Sequence, residues 1–279
     1  MKINRRTFLK SMGIAAIGGC AAAASNFGYS HFSEPQLAVE QVQIPLQNLP
    51  ASLEGLKIVQ LSDIHLHPYT HIEFVQQAIA RTNALKPDLI VLTGDYVQET
   101  AESIDELAPA LAALDARLGV FSIIGNHDIW TNVKVVRAGF EQARLPLLHN
   151  QGVMLGMAGA NFYLAGVDDG WSGQPDLKAA LAGRTQDVPT ILLAHEPDLA
   201  DKFALDGRIS LQLSGHTHGG QVRLPGFGAP VLPYLGRKYD QGLYKVNNMW
   251  LYTNRGLGLI VPIRVNCSPE ITEITLIRA

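Results

Sequence analysis

Cysteine is almost missing from this sequence: among 279 residues the thiols are Cys20 and Cys267. Two such distant residues make no disulfide framework, and any metal held by the chain must be held without a cluster of thiolates. A surplus of positive charge is missing as well. Lys and Arg number 22 against 25 Asp and Glu, a net charge of -3, so the basic footprint of a nucleic-acid binder is absent and no nucleic-acid partner is expected. Long apolar runs are lacking too. The stretch Met12 to Ala24 falls short of the roughly 20 residues that span a bilayer. Beyond it there is no repeat, no low-complexity tract and no linker that would split the chain into two cores.

The N-terminus reads as an address. Asn4-Arg5-Arg6-Thr7-Phe8-Leu9-Lys10 precedes the short apolar stretch, a charged region followed by a hydrophobic one ending in small residues. It resembles a twin-arginine signal, which implies the twin-arginine export machinery as a partner and a periplasmic or outer-membrane-face location. Residues 1–30 are therefore expected to be a signal peptide or an N-terminal anchor, and 38–279 the functional domain. Ile17-Gly18-Gly19-Cys20 also admits a lipobox reading with Cys20 lipidated. Removing the first 25 residues takes away four basic groups and no acidic one, leaving about -7.

Downstream, Ala38–Leu46 alternates as a strand does. Short apolar runs bounded by turn residues recur at 56–61, 88–92, 120–124, 162–167, 190–194, 210–213 and 250–253, with a last alternating run at 271–277. Helical spacing separates the early ones: Ile72, Val75, Ala78, Ile79 and Leu85 share one face before Pro87, and Ile104 to Leu114 repeats the pattern before Gly119. Strands alternating with helices predict a layered α/β domain.

Chemistry-bearing residues sit where those runs end. Leu61 leads into Ser62-Asp63-Ile64-His65, Leu92 into Thr93-Gly94-Asp95, Ile124 into Gly125-Asn126-His127-Asp128, Leu193 into Ala194-His195-Glu196, and Leu213 into Ser214-Gly215-His216-Thr217-His218. Carboxyl ends of parallel strands share one edge, where ligands bind, so these groups are expected to converge. Residues two apart in an extended segment point the same way, which would aim Asp63 with His65, and His216 with His218, at one site. Oxygen and imidazole donors without thiolate suit Mn, Fe or Zn.

In this order the five segments resemble the calcineurin-like metallophosphoesterase superfamily, whose motifs are Asp-x-His, Gly-Asp, Gly-Asn-His-(Asp/Glu), His and Gly-His-x-His. The resemblance implies a four-layer α/β/β/α sandwich and two divalent metal ions. Asp63, His65, Asp95 and His218 would hold one ion, and Asp95, Asn126, His195 and His216 the other, with Asp95 bridging. It further implies hydrolysis of a phosphate ester by a metal-bridging hydroxide, with His127 as general acid or transition-state stabiliser and Asp128 orienting it. In the C-terminal third, Gly236-Arg237-Lys238-Tyr239, Thr253-Asn254-Arg255-Gly256-Leu257-Gly258 and Asn266-Cys267-Ser268-Pro269-Glu270 resemble bacterial phosphodiesterases of the YaeI/YkuE type. That likeness implies diester or pyrophosphate chemistry, with a lipid-linked substrate at a membrane surface as one form of it. The same metal pair supports a phosphomonoesterase, and a binding scaffold without catalysis is the remaining alternative. Arg255 is a candidate phosphate contact or else an ion-pair residue. Val222 to Leu235 is read as a loop packed over the core, with an apolar lip as the other reading.

Overall fold

Each central strand carries apolar side chains on both faces, so each of its faces needs a covering layer. The computed structural model describes residues 36–157, 159–185 and 187–279, of which Leu37–Ala279 form one unit; the N-terminal address and Cys20 lie outside them. Eleven strands among the described residues form two sheets. The first has the order β1 (Ala38–Leu46), β11 (Glu270–Arg278), β2 (Lys57–Leu61), β3 (Leu89–Leu92), β4 (Val120–Ser122). The second runs β5 (Gln151–Met157), β6 (Ala160–Gly166), β7 (Thr190–Leu193), β8 (Leu211–Ser214), β10 (Met249–Thr253), β9 (Gly242–Val246). Strands β2, β3 and β4 are parallel neighbours, as are β6, β7, β8 and β10.

Side-chain parity sorts the residues into three cores. On β3, Leu89 and Val91 face the second sheet, whereas Ile90 and Leu92 face helices α1 (Ile72–Ala84), α2 (Ile104–Leu111) and α3 (Asn126–Gln142). On β7, Ile191 and Leu193 enter the inter-sheet core and Leu192 turns outward toward α4 (Leu177–Ala180) and α5 (Ala200–Phe203). The result is the expected four-layer α/β/β/α sandwich. Helix α1 buries Val75, Ala78, Ile79 and Thr82, and α2 buries Ile104, Leu107, Ala108 and Leu111, one apolar stripe each.

Strands β5 and β9 and helix α3 were not anticipated. The two strands are the opposite edges of the second sheet, where half-exposed Gly-containing sequences weaken the alternation. Among the described residues no helix is long and apolar enough to cross a membrane.

The two sheets are joined just below the site by buried polar groups. Gln60 of β2 donates from Nε2 to Thr93 Oγ1 at 3.0 Å and to the Ser214 carbonyl at 2.9 Å, linking β2, β3 and β8. Thr93 Oγ1 in turn donates to Ser62 Oγ at 2.6 Å.

Candidate metal centre

The carboxyl ends of β2, β3, β4, β7 and β8 meet across both sheets, so that the six expected Asp and His ligands come together; these six and Asn126 are all buried. Ligand atoms of Asp63, His65 and His218 lie within 4.8 Å of one another, and so do those of Asp95, His195 and His216. His65, Asp95 and His127 form a third such group that overlaps the first two. Asp95 Oδ2 stands 3.4 Å from His65 Nε2 and 3.2 Å from His195 Nε2, and therefore faces both sets. Separations near 3 Å match the edges of polyhedra built on metal bonds of about 2.1 Å.

The parity argument for Asp63 with His65 and for His216 with His218 does not hold as stated. These residues are not extended: φ is 50° at Asp63, 46° at His65, 72° at His216 and 52° at His218, with Asp95 at 58°. Left-handed conformations at non-glycine residues are strained and concentrate at functional sites. What the kinks achieve is a backbone that wraps its own ligands. His216 N–H donates to both oxygens of Asp63, at 2.9 and 3.0 Å, and His127 N–H donates to Asp95 Oδ1 at 2.8 Å. Gly94 and Gly125 are required by close approach; a Cβ on Gly94 would lie 2.7 Å from His195 Nδ1.

Hydrogen bonds fix which imidazole nitrogen is free. A carbonyl only accepts, so His195 Nδ1, 2.7 Å from the Thr93 carbonyl, carries a proton, and Nε2 faces Asp95. His216 Nε2 donates likewise to the Tyr234 carbonyl at 2.7 Å, leaving Nδ1 toward the site. Such outer partners hold metal-binding imidazoles in one tautomer. His65 Nε2 and His218 Nε2 are 3.0 Å apart, and Asn126 Oδ1 is buried without a hydrogen-bond partner. Lone pairs brought this close repel unless a proton or a cation lies between them, and unpaired buried acceptors are costly. The donor set therefore fits divalent cations.

Electrostatics agree. Burial pushes the Asp63 carboxyl up to about 7, against the pull of His195, with Asp95 adding to the rise. Burial lowers His65 and His216 to about 3 and His218 well below its usual range. At His195 burial acts downward, but the Asp95 charge and hydrogen bond outweigh it and the net direction is up. At Asp95 burial acts upward, but His195 and then His65 hold it well below the carboxylate range.

His127 begins α3 and stands edge-on to His65, ring centroids 4.7 Å apart, with its other side on Trp130. The Asp128 carboxylate is engaged by backbone amides and not by that ring. Its oxygens accept the backbone N–H groups of Gly125 and Asp95 at 3.0 Å each, Tyr96 at 2.8 Å and Val97 at 3.4 Å, so it clamps the Asp95 loop to the start of α3. The His127 ring instead has Nδ1 3.5 Å from the Gln98 carbonyl.

Arg255 is paired: its guanidinium meets Glu40 at 2.5 Å and Glu270 at 2.6 Å, tying the strand pair β1 and β11 to the loop after β10. Its neighbours explain the C-terminal motif. A Cβ on Gly256 would lie 2.7 Å from Asp63 Cβ, and Leu257 and Gly258 N–H donate to the Ser62 and Asp63 carbonyls. Buried Arg264 donates to the carbonyls of Arg255, Gly256 and Gly258. The motif is a cradle under Asp63.

His67 and His149 lie elsewhere: His67 pairs with Glu106 at 2.8 Å and His149 with Asp168 at 3.3 Å. The loop from Val222 to Leu235 is a lip, since Phe227 is 90% and Val231 75% exposed. Sequence reasoning also passed over Trp130, Trp171 and the buried acids Asp169 and Glu196. Glu196 follows His195 directly, and Trp130 follows His127 by three residues on a helix, which were the available signals.

This geometry defines a candidate metal-binding site of Asp and His residues, and residues 56–220 match the family model for calcineurin-like phosphoesterases; the chain belongs to that family. It is 37% identical over 282 residues to the uncharacterized metallophosphoesterase YkuE of Bacillus subtilis, covering 99% of this chain and 98% of that one. To the phosphodiesterase YaeI of Escherichia coli it is 32% identical over 279 residues, covering 99% and 100%. A Bos taurus transmembrane protein with a metallophosphoesterase domain is 37% identical over 86% of this chain and 57% of its own length. Among solved structures, the NAD nucleotidase NadN of Haemophilus influenzae shares the fold, with TM-score 0.50 and 14% identity over 72% of this chain and 45% of the other.

Proposed function

We propose that this protein hydrolyses phosphodiesters or pyrophosphates with two divalent ions bound on either side of Asp95. The observation that carries the reading is Asp95 Oδ2, which faces His65 and His195 at 3.4 and 3.2 Å and so belongs to two ligand sets at once. Asp63, His65, His218 and Asp95 would hold one ion; Asp95, Asn126, His195 and His216 the other. Mn, Fe and Zn all suit these donors. Such ions supply a water nucleophile at neutral pH and positive charge for the phosphoryl oxygens. The chain itself carries a net charge of -3, so bound metal is the natural source of that positive charge.

His127 stands at the partly exposed rim of the ligand cluster, held against His65 and Trp130, where it would give a proton to the departing oxygen. Asn126 contributes an acceptor without charge, which limits repulsion of an anionic substrate. Asp128 keeps Asp95 and the start of α3 in register through four backbone amides. Preference for diesters over monoesters is supported by the full-length likeness to a protein named as a phosphodiesterase. A lipid-linked substrate at a membrane surface is supported by the exposed Leu224, Phe227 and Val231 in the same loop whose Tyr234 carbonyl holds His216, and by the relative named as a transmembrane protein. Twin-arginine export to the periplasmic side rests on the motif at Arg5-Arg6.

The test is hydrolysis of bis(p-nitrophenyl) phosphate and of p-nitrophenyl phosphate by the chain stripped of metal and then given Mn²⁺. Metal-dependent turnover with the diester preferred is the expected result. Monoester turnover alone would make it a phosphatase, and no turnover of either would favour a binding role.

A further inference from the structure

Three large aromatic side chains stand in a row beside the metal ligands. Trp130 has its ring 4.8 Å from His127; Trp171 is 4.8 Å from Trp130 at an interplanar angle of 82°, 5.9 Å from His216 and 5.6 Å from Tyr234. All three keep much of their surface in water, at 50%, 41% and 53% exposure. Contiguous exposed aromatic area is unfavourable unless a partner covers it.

The wall is also built, at some cost, to stay where it is. Trp130 Nε1 donates to Ser172 Oγ at 2.6 Å. The three successive amides of Gly170, Trp171 and Ser172 are taken by two acids with no exposed surface: Gly170 N–H by Glu196 at 2.8 Å, Trp171 N–H by Glu196 and Asp169 at 3.1 Å each, and Ser172 N–H by Asp169 at 2.5 Å. Burying two carboxyl groups together is expensive, and a loop that only covered the core would not need them. Glu196 adjoins His195 in the chain, so the position of Trp171 is tied to that of a metal ligand. Gly170 is fixed as well, because a Cβ there would lie 2.9 Å from Glu196 Oε2.

We propose that Trp130, Trp171 and Tyr234 form the subsite for a flat, unsaturated group carried by the substrate's phosphorus, an aryl group or a nucleobase, stacked on the exposed indole while the phosphate meets the metal ligands. The proposal rests on the phosphoester reading above. Two indoles set nearly at right angles present one face and one edge to a third ring, the arrangement aromatic groups favour. A saturated chain gains only area from such a corner.

The test is equilibrium binding of phenyl-, cyclohexyl- and methylphosphonate to the Mn²⁺-loaded protein by calorimetry, since the three share one anionic head. Phenylphosphonate is expected to bind about tenfold tighter than methylphosphonate, within the range of single-ring stacking, and tighter than cyclohexylphosphonate. In Trp171→Ala the preference should fall to about twofold with methylphosphonate unchanged, and Trp171→Phe should keep most of it. Equal affinities in the wild type, cyclohexyl matching phenyl, equal weakening of all three by Trp171→Ala, or no binding of any would overturn the subsite. Turnover of bis(p-nitrophenyl) phosphate, measured alongside, judges the hydrolase reading separately. Turnover without aryl preference leaves the enzyme and removes the subsite; aryl preference without turnover does the reverse.

Discussion

Asp128→Asn separates two accounts of one acid. If Asp128 orients His127, the amide should damage catalysis alone; if it clamps the Asp95 loop, stability must fall too. The carboxylate accepts from Gly125 and Asp95 through Oδ2 and from Tyr96 and Val97 through Oδ1. In the variant one oxygen can serve one pair, while the new NH₂ faces the other pair of N–H groups. Two buried donors then lose their acceptor, at about 1 to 3 kcal/mol each, so about 2 to 6 kcal/mol in all. At about 2 to 4 °C per kcal/mol for a domain of this size, that is a fall in Tm of roughly 4 to 24 °C. Burial, helped by the Asp95 charge, pushes the Asp128 carboxyl up to about 7, so thermal unfolding by circular dichroism should be run at pH 8, where it is ionised, on metal-free and Mn²⁺-loaded protein. A Tm within about 1 °C of wild type, with the rate alone reduced, would refute the clamp and restore the orienting role.

Asp95→Ala should lose both ions by elemental analysis, because one carboxylate faces both ligand sets, while His127→Ala should keep its metal and lose about 10²- to 10⁴-fold in kcat. Gly256→Ala places a Cβ 2.7 Å from Asp63 at φ 72°; overpacking of this kind costs about 1 to 3 kcal/mol, and metal titration should show weakened binding with the fold kept by circular dichroism. Metal affinity should rise with pH. The Asp63 carboxyl sits near 7 and His195 above its usual value, so below pH 7 both carry protons that a cation must displace, and affinity should fall about tenfold per pH unit for each proton released. Proton release on adding Mn²⁺ at pH 6.5, read with an indicator dye, checks it; no release would remove these groups from the ligand set.

What the sequence made legible follows from which signals are local. β1 was readable to the residue because its pattern alternates, and α1 and α2 because each has one apolar stripe. The edge strands β5 and β9 carry weak patterns for a physical reason, having one neighbour each and half-exposed surfaces. Helix α3 hid behind the Gly125-Asn126-His127-Asp128 motif, although Ile129, Val133, Val136 and Phe140 keep helical spacing beyond it. The ligand residues were legible as strand ends. Their left-handed backbone was not, since Asp and His give no sign of the conformation that glycine would advertise. Nor was Glu196, whose role depends on a loop 26 residues away in the chain, nor Asp169, which serves the amides of that same loop.

The positive φ values explain how ligands from both sheets reach common ground. A strand that continued straight past Leu61 or Ser214 would send alternate side chains to opposite faces, and Asp63 and His216 would diverge. Turning the backbone at Asp63, His65, Asp95, His216 and His218 costs of order 1 kcal/mol or more at each, a sum comparable with the net stability of a domain. Contacts that would not exist in an extended chain offset it. The turned His216 amide reaches Asp63, the turned Asp95 carboxylate receives the His127 amide, and the Gly256–Gly258 cradle packs directly beneath Asp63 and Ile64. Gln60 locks the two sheets at the same level. The ligand geometry is therefore imposed by the backbone and by buried polar groups outside the ligand set. Lesions in that frame, at Gly256 or Asp128, should damage metal binding although neither residue touches the metal.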